Sequence, residues 1–228
     1  MSPIIPTMTL TSDGPAPALA TGSIFFIGNA TVLLRYAGFT LLTDPTFIHR
    51  HEQFPLGYGL HTTRLTNPAI DIRELPPLDL IVLSHFHGDH FDQVAERELE
   101  KSVPIVTTPE AVHALGERGF RHTYPLDPWA SMTVAKGDAH LRITAMPGRH
   151  GPPLADMVLP DVMGSLLEFG VPVAGVQKTT IRTFAANGEA EDEGLHPHMQ
   201  WTKTPNFVHV YRGIAAMNRV VSLSVHTY

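Results

Sequence analysis

One nine-residue segment, SHFHGDHFD at positions 84–92, constrains this chain more than any other part of its sequence. It contains three histidines and two aspartates, and it directly follows the largely apolar run LDLIVL of residues 78–83. An apolar run of this length after a proline pair, here Pro76 and Pro77, is typical of a buried strand. The sequence therefore predicts that the polar cluster begins where a buried strand ends.

Local backbone geometry predicts that the polar side chains of this segment converge. In an extended chain residues i and i+2 face the same side, so His85 and His87 should approach each other while Phe86 turns away to pack. Gly88 allows a sharp turn, after which Asp89 and His90 come back toward the same point. Imidazole and carboxylate ligands at this density predict a site for Zn²⁺, with Mn²⁺ and Fe²⁺ as alternatives. A histidine-rich polar loop without a metal is the competing interpretation.

Two helices are predicted after this cluster. Asp92 is well placed as the N-cap of a helix over about residues 93–101, because its carboxylate can accept hydrogen bonds from the first helical N–H groups. The Thr-Pro-Glu sequence that begins at Thr108 predicts the start of a second helix, which ends near Gly116 or Gly119.

The spacing H-x-H-x-D-H resembles the signature of the metallo-β-lactamase superfamily. Three further segments carry the same resemblance: FIGNATVLL at 26–34, LLTDPTF at 41–47 and MPGRHGPP at 146–153. The resemblance covers residues 23–170 and is closest to the branch that contains ascorbate-6-phosphate lactonase and N-acylphosphatidylethanolamine-hydrolysing phospholipase D. It implies an α/β fold, a four-layer αβ/βα sandwich with metals at one edge between two sheets.

The same resemblance implies a set of metal ligands. The first two histidines of the signature, His85 and His87, would hold one metal together with a histidine from a later Gly/Pro-rich loop, here His150. Asp89 and His90 would hold a second metal, and Asp89 would also accept a hydrogen bond from the reactive water. Up to two ions, with Zn²⁺ favoured, are therefore expected.

Two more residues gain an expected role from the resemblance. The aspartate of the family's DP step, here Asp44, orients the metal loop by hydrogen bonding and is not usually a ligand. An Asx turn before Pro45 is the alternative for Asp44. The family's last ligand follows a late strand, and a β-branched run near the C-terminus ends in His226. A terminal segment without a role in the site is the alternative for His226.

The C-terminal part departs from the family pattern. The family has a Gly-Asp step whose aspartate bridges the two metals, but no Gly-Asp step follows His150 here, and Glu189 is the nearest substitute. A deletion, a shifted reading frame or a lineage-specific tail would each produce this departure. The chain is therefore expected to comprise a flexible lead-in over 1–22, a metallo-β-lactamase-like domain over 23–170 and a divergent, partly poorly ordered segment over 171–228. The second half of the fold would be incomplete.

Composition argues against several classes of protein. The chain has 16 basic and 22 acidic residues, a net charge of −6 and no long basic run, which argues against a general nucleic-acid-binding surface. With no cysteine it has neither disulfides nor cysteine metal ligands. No apolar run approaches the roughly 18 residues of a membrane span, and the N-terminus lacks a signal-peptide pattern. A cytoplasmic protein is expected.

Together these observations predict a metal-dependent hydrolase. It would use a metal-activated water on an ester, lactone or phosphodiester bond of a small-molecule or lipid-like substrate. The alternative is a metal-binding but catalytically impaired or truncated protein of this fold that lacks the bridging aspartate. A metal content near two per chain favours the hydrolase, and a content of one or less favours impairment. The sequence specifies neither the substrate nor the oligomeric state.

Overall fold

The computed structural model describes residues 5–12, 21–57, 59–148, 161–170, 183–184, 200–201 and 220–224. The helices are α1 (Gln93–Glu98) and α2 (Pro109–Glu117), and one turn of 3-10 helix spans Ile72–Glu74. The strands, in chain order, are β1 (Thr7–Leu10), β2 (Thr21–Gly28), β3 (Thr31–Tyr36), β4 (Phe39–Thr43), β5 (Gln53–Gly57), β6 (Leu60–Thr63), β7 (Leu80–Val82), β8 (Ile105–Thr107), β9 (Thr123–Pro125), β10 (Ser131–Lys136), β11 (Ala139–Pro147), β12 (Met163–Gly170), β13 (Thr183–Phe184), β14 (Gln200–Trp201) and β15 (Val220–Ser224). Within these ranges no helix is long and apolar enough to cross a membrane.

Two sheets pack face to face. The larger has seven strands in the order β15-β2-β3-β4-β7-β8-β9, and its strands from β4 to β9 pair in parallel. The smaller has the order β1-β10-β11-β12. Strands β5 and β6 form a separate antiparallel hairpin between β4 and β7 along the chain.

The central strands of the larger sheet bury both of their faces. In β3, Val32 and Leu34 face the smaller sheet, whereas Leu33 faces the helices, as the two-residue period of a strand requires. Between the sheets, Phe169 packs edge-on against Tyr36 with ring centroids 5.2 Å apart. Burial of this apolar surface is the main driving force for folding.

Helices and sheets form three successive layers among the described residues. Both α1 and α2 pack on the outer face of the larger sheet through residues that include Ala95 and Leu115. This arrangement confirms the α/β class. The helix layer expected on the outer face of the smaller sheet is not found within the described ranges, and the proposed division at residues 22 and 170 stays a prediction.

Both helices are present where the sequence predicts them. Helix α1 ends at Glu98, three residues before the predicted end, because Leu99 adopts an extended backbone and buries its side chain in the core. Helix α2 begins after Thr108, whose side chain accepts a hydrogen bond from the N–H of Ala111, and ends at Glu117.

The expected lead-in over residues 1–22 contains a strand, β1. It pairs in parallel with β10, and Met8 and Leu10 pack on the core between the sheets while Thr7 and Thr9 are exposed. Four alternating residues are a weak strand signal by themselves, and the pairing with β10 supplies the stabilisation. A flexible lead-in therefore does not describe Thr7–Leu10.

The residues of the predicted site lie at one end of the sandwich. Because β4 and β7 are parallel, the residues that follow them, Asp44 and Ser84, meet at the same edge. The N–H of Met163, at the start of β12, donates to the Ser84 carbonyl at 3.0 Å and brings the smaller sheet to this edge. The turn between β2 and β3 also lies here, since Asn29 Nδ2 donates to the Asp89 carbonyl.

Candidate metal centre

The side chains of His85, His87 and Asp89 form one cluster. Their ligand atoms all lie within 4.8 Å of one another. His90 adjoins the cluster, with Nε2 3.7 Å from Asp89 Oδ2 and its ring centroid 4.1 Å from that of His85. The structure thus brings together all four residues of the signature that the sequence predicts to be ligands.

Alternating backbone directions produce this convergence. Between the two histidines, Phe86 points the other way and stacks near Phe91, with ring centroids 5.5 Å apart, against the core under the helices. Gly88 does not have the positive φ that a left-handed turn would give it. The predicted turn does form, since the His90 N–H donates to the His87 carbonyl at 2.9 Å across Gly88. Gly88 has a further role: a Cβ at this position would lie 2.3 Å from the Pro55 carbonyl oxygen, which accepts the Gly88 N–H at 3.2 Å. Gly88 is required for the close approach of hairpin β5–β6.

Asp44 lies directly behind the cluster. Its Oδ1 accepts the Ser84 N–H at 2.7 Å, and its Oδ2 accepts the Ser84 hydroxyl at 3.0 Å and lies 3.0 Å from His90 Nδ1. Asp44 is 2% exposed and has a left-handed φ of 34°, a conformation that aspartate tolerates better than most residues. These contacts are those of a residue that orients the loop, as the family resemblance implies.

Ser84 and Asp44 together fix the proton positions on two histidines. Its hydroxyl donates to Asp44, so its 3.0 Å contact with His85 Nδ1 requires that nitrogen to carry a proton and donate. His90 Nδ1 donates to Asp44 in the same way. When Nδ1 carries the proton, Nε2 is the ligand atom of a neutral imidazole, and such hydrogen bonds orient metal-binding histidines.

The charges of the site favour a cation. Burial alone lowers the pKa of His90, but the neighbouring carboxylates of Asp44 and Asp89 raise it above its ordinary value. Asp89 Oδ1 is buried and has no hydrogen-bond partner in the part of the chain that the structure describes. A buried acceptor without a partner costs about 1–3 kcal/mol, and more when it is charged. A divalent metal would remove this cost, so the donor set fits such an ion.

Asp92 anchors the far end of the segment. Its Oδ1 accepts the N–H groups of Val94 and Ala95, which confirms the predicted N-cap. Its Oδ2 accepts those of Phe47 and Ile48, so the carboxylate also holds the chain after β4. Burial raises the pKa of the Asp92 carboxyl, and the four donors oppose this rise. Within the described residues, the hydrogen bonds of this carboxylate are all to backbone N–H groups, so Asp92 is an anchor.

Two predicted ligands, His150 and His226, lie outside the described residues, as does Glu189. The described chain leads toward His150: Gly148, two residues before it, donates its N–H to the Val162 carbonyl at 3.1 Å. The division of ligands between two metals stays a prediction, and the geometry groups Asp89 with the first two histidines.

Three residues that shape the site, Ser84, Asn29 and Pro55, are not among the predicted site residues. Ser84 opens the signature segment, and its position beside His85 was a usable signal. Asn29 has a φ of 54°, and its Gly-Asn-Ala turn was the signal for a tight turn. Nothing in the local sequence marks Pro55, whose contact with Gly88 joins residues 33 positions apart.

Two histidines of the described ranges, His49 and His113, lie apart from the cluster. His49 Nε2 pairs with Asp71 Oδ1 at 2.9 Å on the surface, and His113 is exposed on α2. Within the described ranges, no second group of three or more potential ligands is found.

Comparison with protein-family models identifies the family to which this chain belongs. The family model described as the beta-lactamase superfamily domain matches residues 40–175, a range that includes Asp44 and the whole 84–92 segment. The chain belongs to the metallo-β-lactamase superfamily. This membership agrees with the sheet order, the strand-end position of the cluster and the orienting role of Asp44.

Individual relatives of this metallo-β-lactamase superfamily member were found by sequence and by structure. The mitochondrial N-acyl-phosphatidylethanolamine-hydrolyzing phospholipase D of Saccharomyces cerevisiae is 28% identical over 127 residues, 55% of this chain and 26% of the relative. The UPF0173 protein YddR of Bacillus subtilis is 29% identical over 130 residues, 55% of this chain and 49% of the relative. This chain therefore spans half or less of the length of either relative.

Solved structures with the same fold include a hydrolase. The isothiocyanate hydrolase from Delia radicum gut bacteria is 25% identical with a TM-score of 0.53, covering 66% of this chain and 59% of that one. A possible metal-dependent hydrolase from Veillonella parvula, 22% identical with a TM-score of 0.52 and the same coverage, shows the fold alone.

Proposed function

We propose that this protein is a metal-dependent hydrolase that uses a metal-activated water on an ester, lactone or phosphodiester bond. One observation supports this most directly. The ligand atoms of His85, His87 and Asp89 lie within 4.8 Å of one another, and a buried oxygen of Asp89 has no partner among the described residues.

The candidate ligands would have different roles in such a site. A divalent metal bound here would lower the pKa of a bound water toward neutrality and offset charge that develops during attack. His85 and His87 would hold the ion as neutral imidazoles, with His150 as the proposed third ligand. Asp89 would accept a hydrogen bond from the attacking water. Zn²⁺ suits these donors best, with Mn²⁺ and Fe²⁺ as alternatives.

The remaining groups hold these side chains in place. Asp44 and Ser84 fix the tautomers of His85 and His90, and Asn29 holds the backbone carbonyl of Asp89. His90 and His226 are the proposed ligands of a second ion. Preorganised donors of this kind keep their geometry during the reaction, which lowers the reorganisation that catalysis requires.

The substrate class that we propose is a small-molecule or lipid-like compound. The name of the yeast relative states that it hydrolyses N-acyl-phosphatidylethanolamine, a lipid with a phosphodiester bond. The net charge of −6 and the lack of a long basic run disfavour a nucleic-acid substrate.

A second candidate function is metal binding with impaired catalysis. It is favoured by the lack of a Gly-Asp step after His150. Without a bridging carboxylate, the second ion would be held weakly and water would be activated less.

Hydrolysis assays on the full chain test the first proposal. Metal-free protein would be reloaded with Zn²⁺, Mn²⁺ or Fe²⁺ and offered nitrophenyl esters, a lactone panel and bis(nitrophenyl) phosphate. We expect turnover of at least one class, and a loss of about 100-fold or more in His87→Ala and Asp89→Asn. His113→Ala, which removes an exposed histidine from α2, is the matched control and should keep the wild-type rate.

Two outcomes would contradict the proposal. Metal-loaded protein that hydrolyses none of the three classes favours the impaired alternative. A rate that persists unchanged in both His87→Ala and Asp89→Asn places the activity outside this cluster.

A further inference from the structure

Arg64 is a buried cation next to the site. It follows hairpin β5–β6 directly and is 4% exposed. Its Nη2 has no hydrogen-bond partner within the described residues. Burial lowers the pKa of Arg64, and the charge of Asp92 opposes this change. A buried guanidinium is costly to desolvate, so its position needs a physical explanation.

A directed chain of hydrogen bonds leads from Arg64 to Asp44. Arg64 Nη1 donates to Thr46 Oγ1 at 3.0 Å, and Thr46 Oγ1 lies 2.9 Å from Thr31 Oγ1. Thr31 donates its only hydroxyl proton to the Asp44 carbonyl at 2.6 Å. Thr46 must therefore donate to Thr31, and every bond in the chain runs in one direction. Hydrogen bonds in such a chain polarise and strengthen one another, and a charged donor at its start adds to this effect.

The end point of this chain is the strained residue of the site. Asp44 has a left-handed φ of 34°, and this backbone geometry aims its carboxylate at Ser84 and His90. A hydrogen bond to the Asp44 carbonyl restrains the peptide that follows the strained position. Residues in such conformations persist only when their surroundings hold them.

Arg64 makes a second contact, with the turn at Gly28. This turn lies on the other side of residues 84–92, which we call the metal segment. A Cβ at Gly28, where φ is +147°, would lie 2.6 Å from Arg64 Nη2, so the guanidinium packs directly against this turn. The next residue in the turn, Asn29, donates to the Asp89 carbonyl. Arg64 therefore supports both Asp44, which holds His90, and the turn that holds Asp89.

We propose that Arg64 is a positioning residue of the metal centre, which acts through Thr46 and Thr31 on Asp44 and through the Gly28 turn on Asp89. This inference rests on the proposed function, because it requires that the cluster binds a metal. It assigns to Arg64 an effect on metal affinity and ligand geometry and no contact with the metal or the substrate.

Metal binding by variants of the full chain tests this inference. Arg64→Met removes the charged donor, and Thr46→Val interrupts the chain while Arg64 stays in place. Arg73→Met removes an arginine whose side chain is 83% exposed and is the matched control. Three quantities would be measured: Zn²⁺ affinity by competition with a chromophoric chelator, the visible spectrum of the Co²⁺ form, and the unfolding midpoint of the metal-free protein.

We expect Arg64→Met and Thr46→Val each to weaken Zn²⁺ binding by about 10-fold or more and to change the Co²⁺ spectrum. The double variant should bind about as weakly as Arg64→Met alone, because both substitutions interrupt the same chain. Arg64→Lys should recover part of the affinity, and Arg73→Met should match the wild type.

The outcomes separate this inference from the function on which it rests. Wild-type protein that binds neither Zn²⁺ nor Co²⁺ overturns the proposed function and the inference with it. Wild-type binding together with unchanged affinity and spectra in the variants overturns the inference alone, even if their unfolding midpoints fall. If Arg64→Met does not fold, the Zn²⁺ affinity and Co²⁺ spectrum of Thr46→Val test the inference in its place.

Discussion

At the scale of single residues, the geometry of the site depends on side chains that hydrogen-bond to the candidate metal ligands. The Asp44 carboxylate makes three contacts, with the Ser84 N–H, the Ser84 hydroxyl and His90 Nδ1, and through them it sets which nitrogen each histidine presents. Substitution of residues that hydrogen-bond to metal ligands typically costs 10- to 100-fold in metal affinity.

Asp44→Asn tests this role. The amide nitrogen cannot accept the bonds that one carboxylate oxygen now accepts, and the charge beside His90 is lost. We expect Zn²⁺ affinity to fall by about 10- to 100-fold, measured by chelator competition. Asp71→Asn is the control, because that carboxylate pairs with His49 on the surface and should leave the affinity unchanged. Equal affinities in the two variants would show that Asp44 does not orient the ligands.

At the scale of elements, hairpin β5–β6 packs directly against the metal segment. The Pro55 carbonyl accepts the Gly88 N–H, and the Gln53 carbonyl accepts a bond from Gln93 at the start of α1. The hairpin therefore forms one wall of the site, and its packing depends on the missing side chain at position 88.

Gly88→Ala should separate the hairpin from the segment. The new methyl would lie 2.3 Å from the Pro55 carbonyl oxygen, so the backbone must move. We expect a loss of about 1–3 kcal/mol in the unfolding free energy of the metal-free protein, measured by denaturant titration. The control Gly116→Ala, in α2, should instead gain up to about 1 kcal/mol, because among the described residues nothing outside the adjoining helix backbone lies within 4 Å of the new methyl. Equal effects at the two positions would contradict the close packing.

The two helix caps should differ in strength. Thr108→Ala removes one cap bond and should cost about 1 kcal/mol. Asp92→Ala removes a cap and also leaves the buried N–H groups of Phe47 and Ile48 without their acceptor, so we expect a loss of about 3 kcal/mol or more. Thermal and denaturant unfolding measure both variants, and similar losses would show that Asp92 acts only as a cap.

Elements with a strong local pattern were predictable from the sequence, and contacts between distant segments were not. The caps Asp92 and Thr108, the strand before Ser84 and the convergence of His85 with His87 follow from spacing alone. The burial of Arg64 and the approach of Pro55 to Gly88 depend on how segments 18 to 36 positions apart pack together. The strand Thr7–Leu10 is stabilised by β10, more than 120 positions away, which its own four residues do not reveal.

At the scale of the whole molecule, separate interactions hold the fold and the site. At the end of the sandwich opposite the metal segment, Lys136 Nζ lies 2.7 Å from both carboxylate oxygens of Asp79 and donates to the Gly38 carbonyl at 2.8 Å. Asp79 precedes β7, and Lys136 ends β10, so this ion pair joins the two sheets.

Lys136→Met should weaken the fold without changing the site. Both partners are mostly buried, and we expect a loss of about 1 kcal/mol in unfolding free energy, with unchanged Zn²⁺ affinity. Unfolding and metal titrations on the same preparation test this separation. A parallel fall in affinity would show that sheet packing at one end is coupled to ligand geometry at the other.

Metal titration of the full chain and of His87→Ala tests the central claim, that the 84–92 segment is a metal centre, most directly. The metal-free proteins would be titrated with Zn²⁺ and their bound metal counted after removal of excess ion, with His113→Ala as the control. We predict at least one tightly bound ion per chain in the wild type and in His113→Ala, and a loss of that ion in His87→Ala. The same metal content in the wild type and in His87→Ala would contradict the claim.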